Sequence, residues 1–298
     1  MKRAISISLG SSARDKRVEV DFGGEKIILE RIGVDGDIEK AKQLYRELDN
    51  QVDCFGVGGV DLYLRLEGRE YPLKAVLKLV EGLQTPCVDG RGLKHTLERR
   101  VFELAEPLLG FIPSFRQAFI PVAIDRLGLA LAVTEVSDQI IFGDLMVALG
   151  IPIAVRGIAA YKRIARMMLP FVSYFPMSML FYGSSGTERK PKYHIFWEQS
   201  DLLAGDFLFM QKYVIDDLTG KTVITNTTTE ANLEFLRERG VKLVITTTPR
   251  YEDRSFGTNL MEAALTAYAG KSRILTDTEL NALIDELVLR PSVQVLNS

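Results

Sequence analysis

The sequence predicts a two-domain α/β protein, with a mixed α/β amino-terminal domain and a Rossmann-like parallel sheet towards the carboxyl end. Three observations carry this. Leu202 to Gly205, Thr222 to Thr225 and Lys242 to Thr246 are short apolar runs of the kind that fill a parallel sheet covered on both faces. Helical segments with cap-like starts alternate with those runs at βαβ spacing. A chain of 298 residues, 47% hydrophobic and 26% charged, has the composition and length of one large or two ordinary globular domains.

From the amino terminus, Arg3 to Ser8 alternates as a strand and runs into Leu9-Gly10-Ser11-Ser12. Val18 to Phe22 and Lys26 to Arg31 flank Gly23-Gly24, a hairpin signal. Asp35-Gly36-Asp37 supplies a turn and a cap for a helix over Ile38 to Leu48, with Ile38, Ala41, Tyr45 and Leu48 on one face. Val52 to Val57 reads as a strand ending in Gly58-Gly59. Leu62 to Leu66 and Tyr71 to Val76 read as a second hairpin around Glu67-Gly68. Asp89-Gly90-Arg91-Gly92 opens a helix over Leu93 to Leu104, and strands over Ala118 to Ile124 and Leu129 to Val133 complete a domain of residues 1–136.

Residues 137–190 read as a mainly helical connection, with helices over Gln139 to Leu149 and Ile158 to Leu169 bounded by Gly150-Ile151-Pro152 and Pro170. Met167 to Thr187 is uncharged, but Pro170, Pro176, Gly183 and Gly186 interrupt it, so a buried segment is expected and not a membrane span. Residues 191–298 form the Rossmann-like domain. Its helix Glu230 to Arg239 has Thr227 and Glu230 at capping-box spacing and stops at Gly240. A second, Leu260 to Ala269, has Asn259 and Glu262 in that spacing and stops at Gly270; the last, Glu279 to Leu289, follows Thr276 and Glu279.

The 37 basic and 39 acidic residues leave a net charge of −2 with no basic stripe, which excludes the electrostatic footprint of a nucleic-acid binder. Two cysteines, Cys54 and Cys87, without a CxxC, argue against a disulfide framework or structural zinc and for a reducing compartment. The first residues lack the pattern of a signal peptide, so a soluble cytoplasmic protein is expected. The two histidines, His95 and His194, are in no H-x-x-x-H or H-E-x-x-H, so no metal is expected.

Ligands of open α/β sheets bind outside the carboxyl ends of the strands. Here those ends read Gly205-Asp206, Thr225-Asn226-Thr227-Thr228-Thr229 and Thr246-Thr247-Thr248-Pro249-Arg250, with Asp253 to Asn259 following. Hydroxyls, an amide and two arginines therefore gather at one edge, suited to ribose, polyol or phosphate. Cap propensity explains Thr227 and Asn259, but neither the two threonine-rich strand ends nor the run Arg254-Ser255-Phe256-Gly257 is explained by propensity. For proton transfer the candidate is Lys94, paired with Asp89 or with the strand-end Asp206. The turns Gly10-Ser11-Ser12, Gly56-Val57-Gly58-Gly59 and Gly183-Ser184-Ser185-Gly186 each fall short of a full G-x-G-x-x-G.

The chain resembles a bacterial family commonly labelled quinate dehydrogenase. The resemblance rests on Ser6-Ile7-Ser8-Leu9-Gly10-Ser11-Ser12, Phe55-Gly56-Val57-Gly58-Gly59-Val60-Asp61, Phe142-Gly143-Asp144-Leu145-Met146 and Ala204-Gly205-Asp206-Phe207. It continues through Ile224-Thr225-Asn226-Thr227 and Ile245-Thr246-Thr247-Thr248-Pro249 to Arg254-Ser255-Phe256-Gly257-Thr258-Asn259. It implies NAD- or NADP-linked oxidation of a cyclic polyol acid such as quinate or shikimate. Under it, Asn226, Thr227, Thr228, Thr247, Thr248, Arg254, Ser255 and Gly257 would hold the dinucleotide, Ser11, Ser12, Gly58 and Gly59 the substrate, and Lys94 with Asp89 or Asp206 would move the proton. Two other readings stand beside it: a non-catalytic metabolite- or nucleotide-binding regulatory protein, and a transferase acting on a phosphorylated substrate. The partner is a small molecule in each case, with neither nucleic acid nor membrane expected and a homo-oligomer compatible.

Overall fold

The structure, a computed structural model, describes residues 1–180, 189–251 and 254–298, and of Arg254 the backbone. In chain order the first elements are β1 (Lys2–Ser8), β2 (Lys16–Phe22), β3 (Glu25–Gly33), α1 (Ile38–Leu48), β4 (Cys54–Gly58), β5 (Tyr63–Leu66), β6 (Arg69–Pro72), α2 (Lys74–Leu77), β7 (Cys87–Val88) and α3 (Arg91–His95). There follow α4 (Val101–Leu109), β8 (Phe115–Ile120), α5 (Leu127–Glu135), β9 (Ser137–Phe142), α6 (Asp144–Val147), β10 (Val155–Arg156), α7 (Ile158–Val172), α8 (Met177–Leu180) and α9 (His194–Gln199). The last are β11 (Leu202–Gly205), α10 (Phe207–Tyr213), β12 (Thr222–Thr225), α11 (Glu230–Arg237), β13 (Leu243–Thr246), β14 (Arg250–Tyr251), β15 (Arg254–Ser255), α12 (Thr258–Ala269), α13 (Asp277–Glu286) and β16 (Ser292–Val295).

Two compact units share the chain: Met1–Leu93 with Met167–Gly186 and Gly257–Val288, and Lys94–Arg166 with Thr187–Phe256 and Leu289–Ser298. This corrects the expected division into 1–136, 137–190 and 191–298. The reason is non-local pairing. β8 and β9 join the sheet built by β11, while α12 leaves that half of the sequence and packs on β1 and β4.

The first unit has a five-stranded sheet in the order β2-β3-β1-β4-β7, parallel except for the β2–β3 hairpin. Gly23 (φ 59°) and Gly24 (φ 91°) make its turn, as the two-residue Gly-Gly signal predicts. The central strand β1 buries Ala4, Ile5 and Ile7 together with Ser6 and Ser8, as a strand covered on both faces must. Helix α1 starts on the Asp37 cap and buries Ala41 and Tyr45.

The second unit has a seven-stranded sheet in the order β10-β9-β8-β11-β12-β13-β16. Strands β9, β8, β11, β12 and β13 run parallel, and the edge strands β10 and β16 run antiparallel. Successive strands lie to one side of β8 and then to the other, the doubly wound topology of Rossmann-like sheets. Phe119, Trp197, Leu203, Val223 and Val244 are at the centre of its core.

Two expected elements are of the other type. Leu129 to Val133 is not a strand but part of α5, which buries Leu127, Gly128, Leu129, Ala130, Ala132 and Val133. A helix buried all round has no polar face, so its period is invisible in the sequence. Gln139 to Leu149 is not one helix: β9 occupies Ser137–Phe142, burying Ile140, Ile141 and Phe142, and the four-residue α6 follows. The expected helix Leu93 to Leu104 is split into α3 and α4. α13 begins at the expected Thr276–Glu279 capping box, whereas α11 is capped by Thr229 with Asn232 and α12 by Gly257. No helix among the described residues is long and apolar enough to cross a membrane.

Candidate functional site

In a doubly wound sheet the ligand crevice opens where the strand order reverses, outside the carboxyl ends of the two strands concerned. In the second unit those strands are β8 and β11. After β11 the chain turns at Gly205, whose φ of 140° suits a residue without a side chain, and reaches Asp206, the cap of α10. After β8 it runs through Pro121 to Asp125 and reaches Arg126, the cap residue of α5.

Arg126 is the hub of a charge cluster there. Its Nη1 donates to Glu98 Oε1 at 2.6 Å and its Nη2 to Asp206 Oδ2 at 3.0 Å, and its Nε is 3.5 Å from Asp125 Oδ2. Asn226 Nδ2 donates to the same Asp206 oxygen at 2.8 Å, and Thr247 Oγ1 to Glu98 Oε1 at 3.3 Å. Lys94 Nζ is 3.7 Å from Asp125 Oδ2, with its side chain 7% and that of Asp125 19% exposed. Glu98 is wholly buried. Its burial raises the carboxyl pKa, and the charges of Arg126 and Lys94 work against that rise. Glu98 Oε2 and Asp125 Oδ1 are buried and have no hydrogen-bond partner among the described residues. Buried acceptors left in this condition call for O–H or N–H donors.

Lys94 is fixed by backbone packing as well as by charge. A Cβ on Gly128 would stand 1.9 Å from Lys94 O, so α5 approaches the Lys94 backbone only because residue 128 has none. Gly128→Ala is expected to destabilise the fold by about 1–3 kcal/mol, an overpacking cost with a backbone atom as the obstacle. Urea unfolding checks this, and a loss under about 0.5 kcal/mol, the range of a neutral surface change, would contradict it.

A second carboxylate closes the turn after β8. Asp144, directly beyond β9 and Gly143, accepts the N–H groups of Ala123 and Ile124, each at 3.0 Å, and the Tyr161 hydroxyl at 3.0 Å. Burial pushes its pKa up to about 6, against the lowering effect of those three bonds. In dinucleotide-binding sheets the N–H groups of the turn after the first strand cradle the pyrophosphate. Here Asp144 takes them, and a carboxylate there repels phosphate. The residues of this turn do not fit a dinucleotide.

The other strand-end groups assigned to a cofactor are mostly engaged internally. Thr228 Oγ1 bonds Thr246 Oγ1 at 3.0 Å, Thr228 N donates to Ser255 Oγ at 2.8 Å, and the single hydroxyl proton of Thr248 is shared between the carbonyls of Asn226 and Phe256, 2.9 and 2.8 Å away. Thr228, Thr248 and Ser255 are buried, so their hydroxyls tie the loops beyond β12 and β13 together. Asn226 and Thr247 join the charge cluster, and Thr227 is half-buried beside them in sequence. Gly257 belongs to the first unit as the cap of α12. Residues 183–186 and 253, and the side chain of Arg254, lie outside the described residues.

The proton-transfer residues also sort differently from expectation. The ion pair of Lys94 runs to Asp125, which lies just beyond the strand expected over Ala118 to Ile124. Asp206 is held by Arg126 and Asn226. Asp89 lies in the first unit, where its carboxylate accepts the N–H groups of Leu62, Tyr63 and Arg91. Of the expected substrate residues, Ser11 caps the turn Ser12–Arg14 and Ser12 N donates to Asp35 at 2.8 Å, both on the surface. Gly58 pairs with Ser8 inside the sheet, and Gly59 follows with a φ of 84°.

A family model described as a domain of unknown function (DUF8754) matches residues 92–296, and another domain of unknown function (DUF8753) matches residues 3–89. No curated protein matches the sequence. Among solved structures, an ABC transporter solute-binding protein from Burkholderia multivorans is 12% identical with a TM-score of 0.39, covering 98% of this chain and 97% of that one. The malic enzyme of Entamoeba histolytica is 12% identical with a TM-score of 0.38, covering 85% and 52%. The aspartate transcarbamoylase of Trypanosoma cruzi is 11% identical with a TM-score of 0.34, covering 96% and 81%.

Proposed function

We propose that this chain, which belongs to the DUF8754 family, is an acid–base enzyme that transfers a proton to or from an oxygen of a small polyhydroxylated molecule, with Lys94 and Asp125 as the transferring pair. The carrying observation is the 3.7 Å approach of Lys94 Nζ to Asp125 Oδ2 at the point where the strand order reverses. Lys94 gives or takes the proton at the substrate oxygen, and Asp125, more exposed, passes it to solvent.

The chemistry of the ligand follows from charge. Two cations, Lys94 and Arg126, face three carboxylates, Glu98, Asp125 and Asp206, and Arg126 is already shared among all three. Such a cluster has no surplus of positive charge for a phosphate. It has carboxylate and amide acceptors in plenty, which suits hydroxyl donors of a polyol. This disfavours a transferase using a phosphorylated substrate. Cys54 and Cys87 are free thiols, which supports a reducing, cytoplasmic setting for the reaction.

Lys94→Ala is expected to cut turnover ~10²-fold or more while leaving substrate affinity within a few-fold, the mark of a general acid–base group. A polyol panel including quinate and shikimate, followed by product analysis, tests it. Undiminished turnover by Lys94→Ala would end that role.

The nicotinamide-linked oxidation implied by the resemblance is the redox form of this reading, and the Lys94–Asp125 pair supports it. The use of the Ala123 and Ile124 N–H groups by Asp144 favours instead a protein that binds its polyol without a dinucleotide. Calorimetric titration with NAD(H) and NADP(H) separates the two. Micromolar binding favours the oxidoreductase; no heat from any of the four, with polyol binding intact, favours the cofactor-free reading.

A further inference from the structure

The Asp89-Gly90-Arg91-Gly92 turn has no part in the site above, yet its Asp89 and Arg91 line a cavity of about 190 Å³ wholly within the first unit. We propose that this cavity is a separate binding site for a short aliphatic monocarboxylate, with Arg91 and Glu262 gripping the carboxylate and Leu62, Leu77, Val80 and Ile274 enclosing the tail.

The two glycines explain how the turn comes so close to α12. Gly90 has a φ of 87°, and a Cβ there would stand 2.5 Å from Thr258 Oγ1; a Cβ on Gly92 would stand 2.9 Å from Glu262 Oε1. Glu262 is thereby brought under the start of α3, where its Oε2 accepts Leu93 N at 3.2 Å. Burial, and then the charge of Asp89, push its pKa up to about 8, so it carries a proton at neutral pH and is a hydroxyl donor. Asp89 also lines the cavity, with its carboxylate directed to the N–H groups of Leu62, Tyr63 and Arg91, which offset its charge towards a bound anion.

Arg91 supplies the other donor. Its guanidinium lies 4.6 Å above the Tyr63 ring, and its Nε is 3.4 Å from Glu70 Oε1. Its Nη1 is buried with no hydrogen-bond partner among the described residues. A guanidinium N–H and a carboxylic O–H at one cavity match the two oxygens of a carboxylate. Such a volume is below the ~300 Å³ at which drug-sized sites begin, so the tail is only a few carbons long.

Titration of the whole protein with sodium isovalerate at pH 6.5, followed by NMR or calorimetry, tests the assignment, with isoamylamine as the cationic counterpart. Isovalerate is expected to bind and isoamylamine not. Arg91→Gln is expected to weaken binding by about tenfold or more, as loss of a charged hydrogen bond does. Glu262→Gln retains a donor and is expected to bind within about threefold of the parent. Ile274, 44% exposed, allows Ile274→Trp to obstruct the cavity from its rim without disturbing the core, and this variant is expected not to bind. No binding of isovalerate by folded parent protein overturns the proposal, as does equal binding of isoamylamine or unimpaired binding by Ile274→Trp.

Discussion

Arg126→Ala is expected to lower the unfolding free energy by about 3–5 kcal/mol at pH 8, and by distinctly less near pH 5, because it removes one partner of a buried ion pair. Arg126 is the shared cation of Glu98, Asp206 and Asp125, and Glu98 is wholly buried. Without the guanidinium, Glu98 keeps the Thr247 hydroxyl and the charge of Lys94 but loses its closest counter-charge. Its folded pKa, already raised by burial, then rises further. A carboxyl raised in the folded state contributes most below its unfolded pKa, and that contribution is lost as the pH climbs through the folded value. The variant therefore recovers stability on mild acidification by taking up a proton. Urea unfolding of parent and variant at both pH values checks this. A loss below about 1 kcal/mol at both would mean that the cluster is solvated like a surface pair.

The same cluster shows what the sequence conveys and what it withholds. β11 and β12 are where their apolar runs predict, and α13 starts on its capping box, because these signals lie within a few neighbouring residues. Lys94 was recognisable as a chemical group beside a glycine-rich turn. Its partner was not, because Asp125 and Arg126 follow β8, and β8 becomes the neighbour of β11 only through a pairing across more than eighty positions of chain. The apolar run Leu129 to Val133, which has no polar face, conceals the helix start that Arg126 caps. Asp144 was obscured in turn by the helix expected over Gln139 to Leu149. Its role as acceptor for Ala123 and Ile124 depends on β8 and β9 lying side by side. The threonine-rich strand ends are legible in the sequence as a concentration of hydroxyls. Burial then decided their use: Thr228, Thr246 and Thr248 satisfy one another and the backbone.

Glu262→Gln is expected to make the protein more stable than the parent at pH 8.5 by about 3–5 kcal/mol, while the two coincide near pH 5. Glu262 is 4% exposed, and burial together with the nearby Asp89 raises its pKa from 4.5 to about 8. The unfolded chain releases this proton near pH 4.5, whereas the folded chain holds it until about pH 8. Between those values the folded state binds more protons, so parental stability falls with rising pH across the window and levels off above it. Glutamine has the shape of the protonated acid, keeps an oxygen to accept Leu93 N, and does not titrate. Its unfolding free energy therefore lacks this slope. The pH range also distinguishes Glu262 from Glu98. Loss of Glu262's slope leaves the second unit's response to Arg126→Ala intact, because the two carboxyls belong to different units. Parallel stability curves for Glu262→Gln and the parent from pH 5 to 8.5 would mean that Glu262 is ionised in the folded protein, which would also deprive the first unit's cavity of its hydroxyl donor.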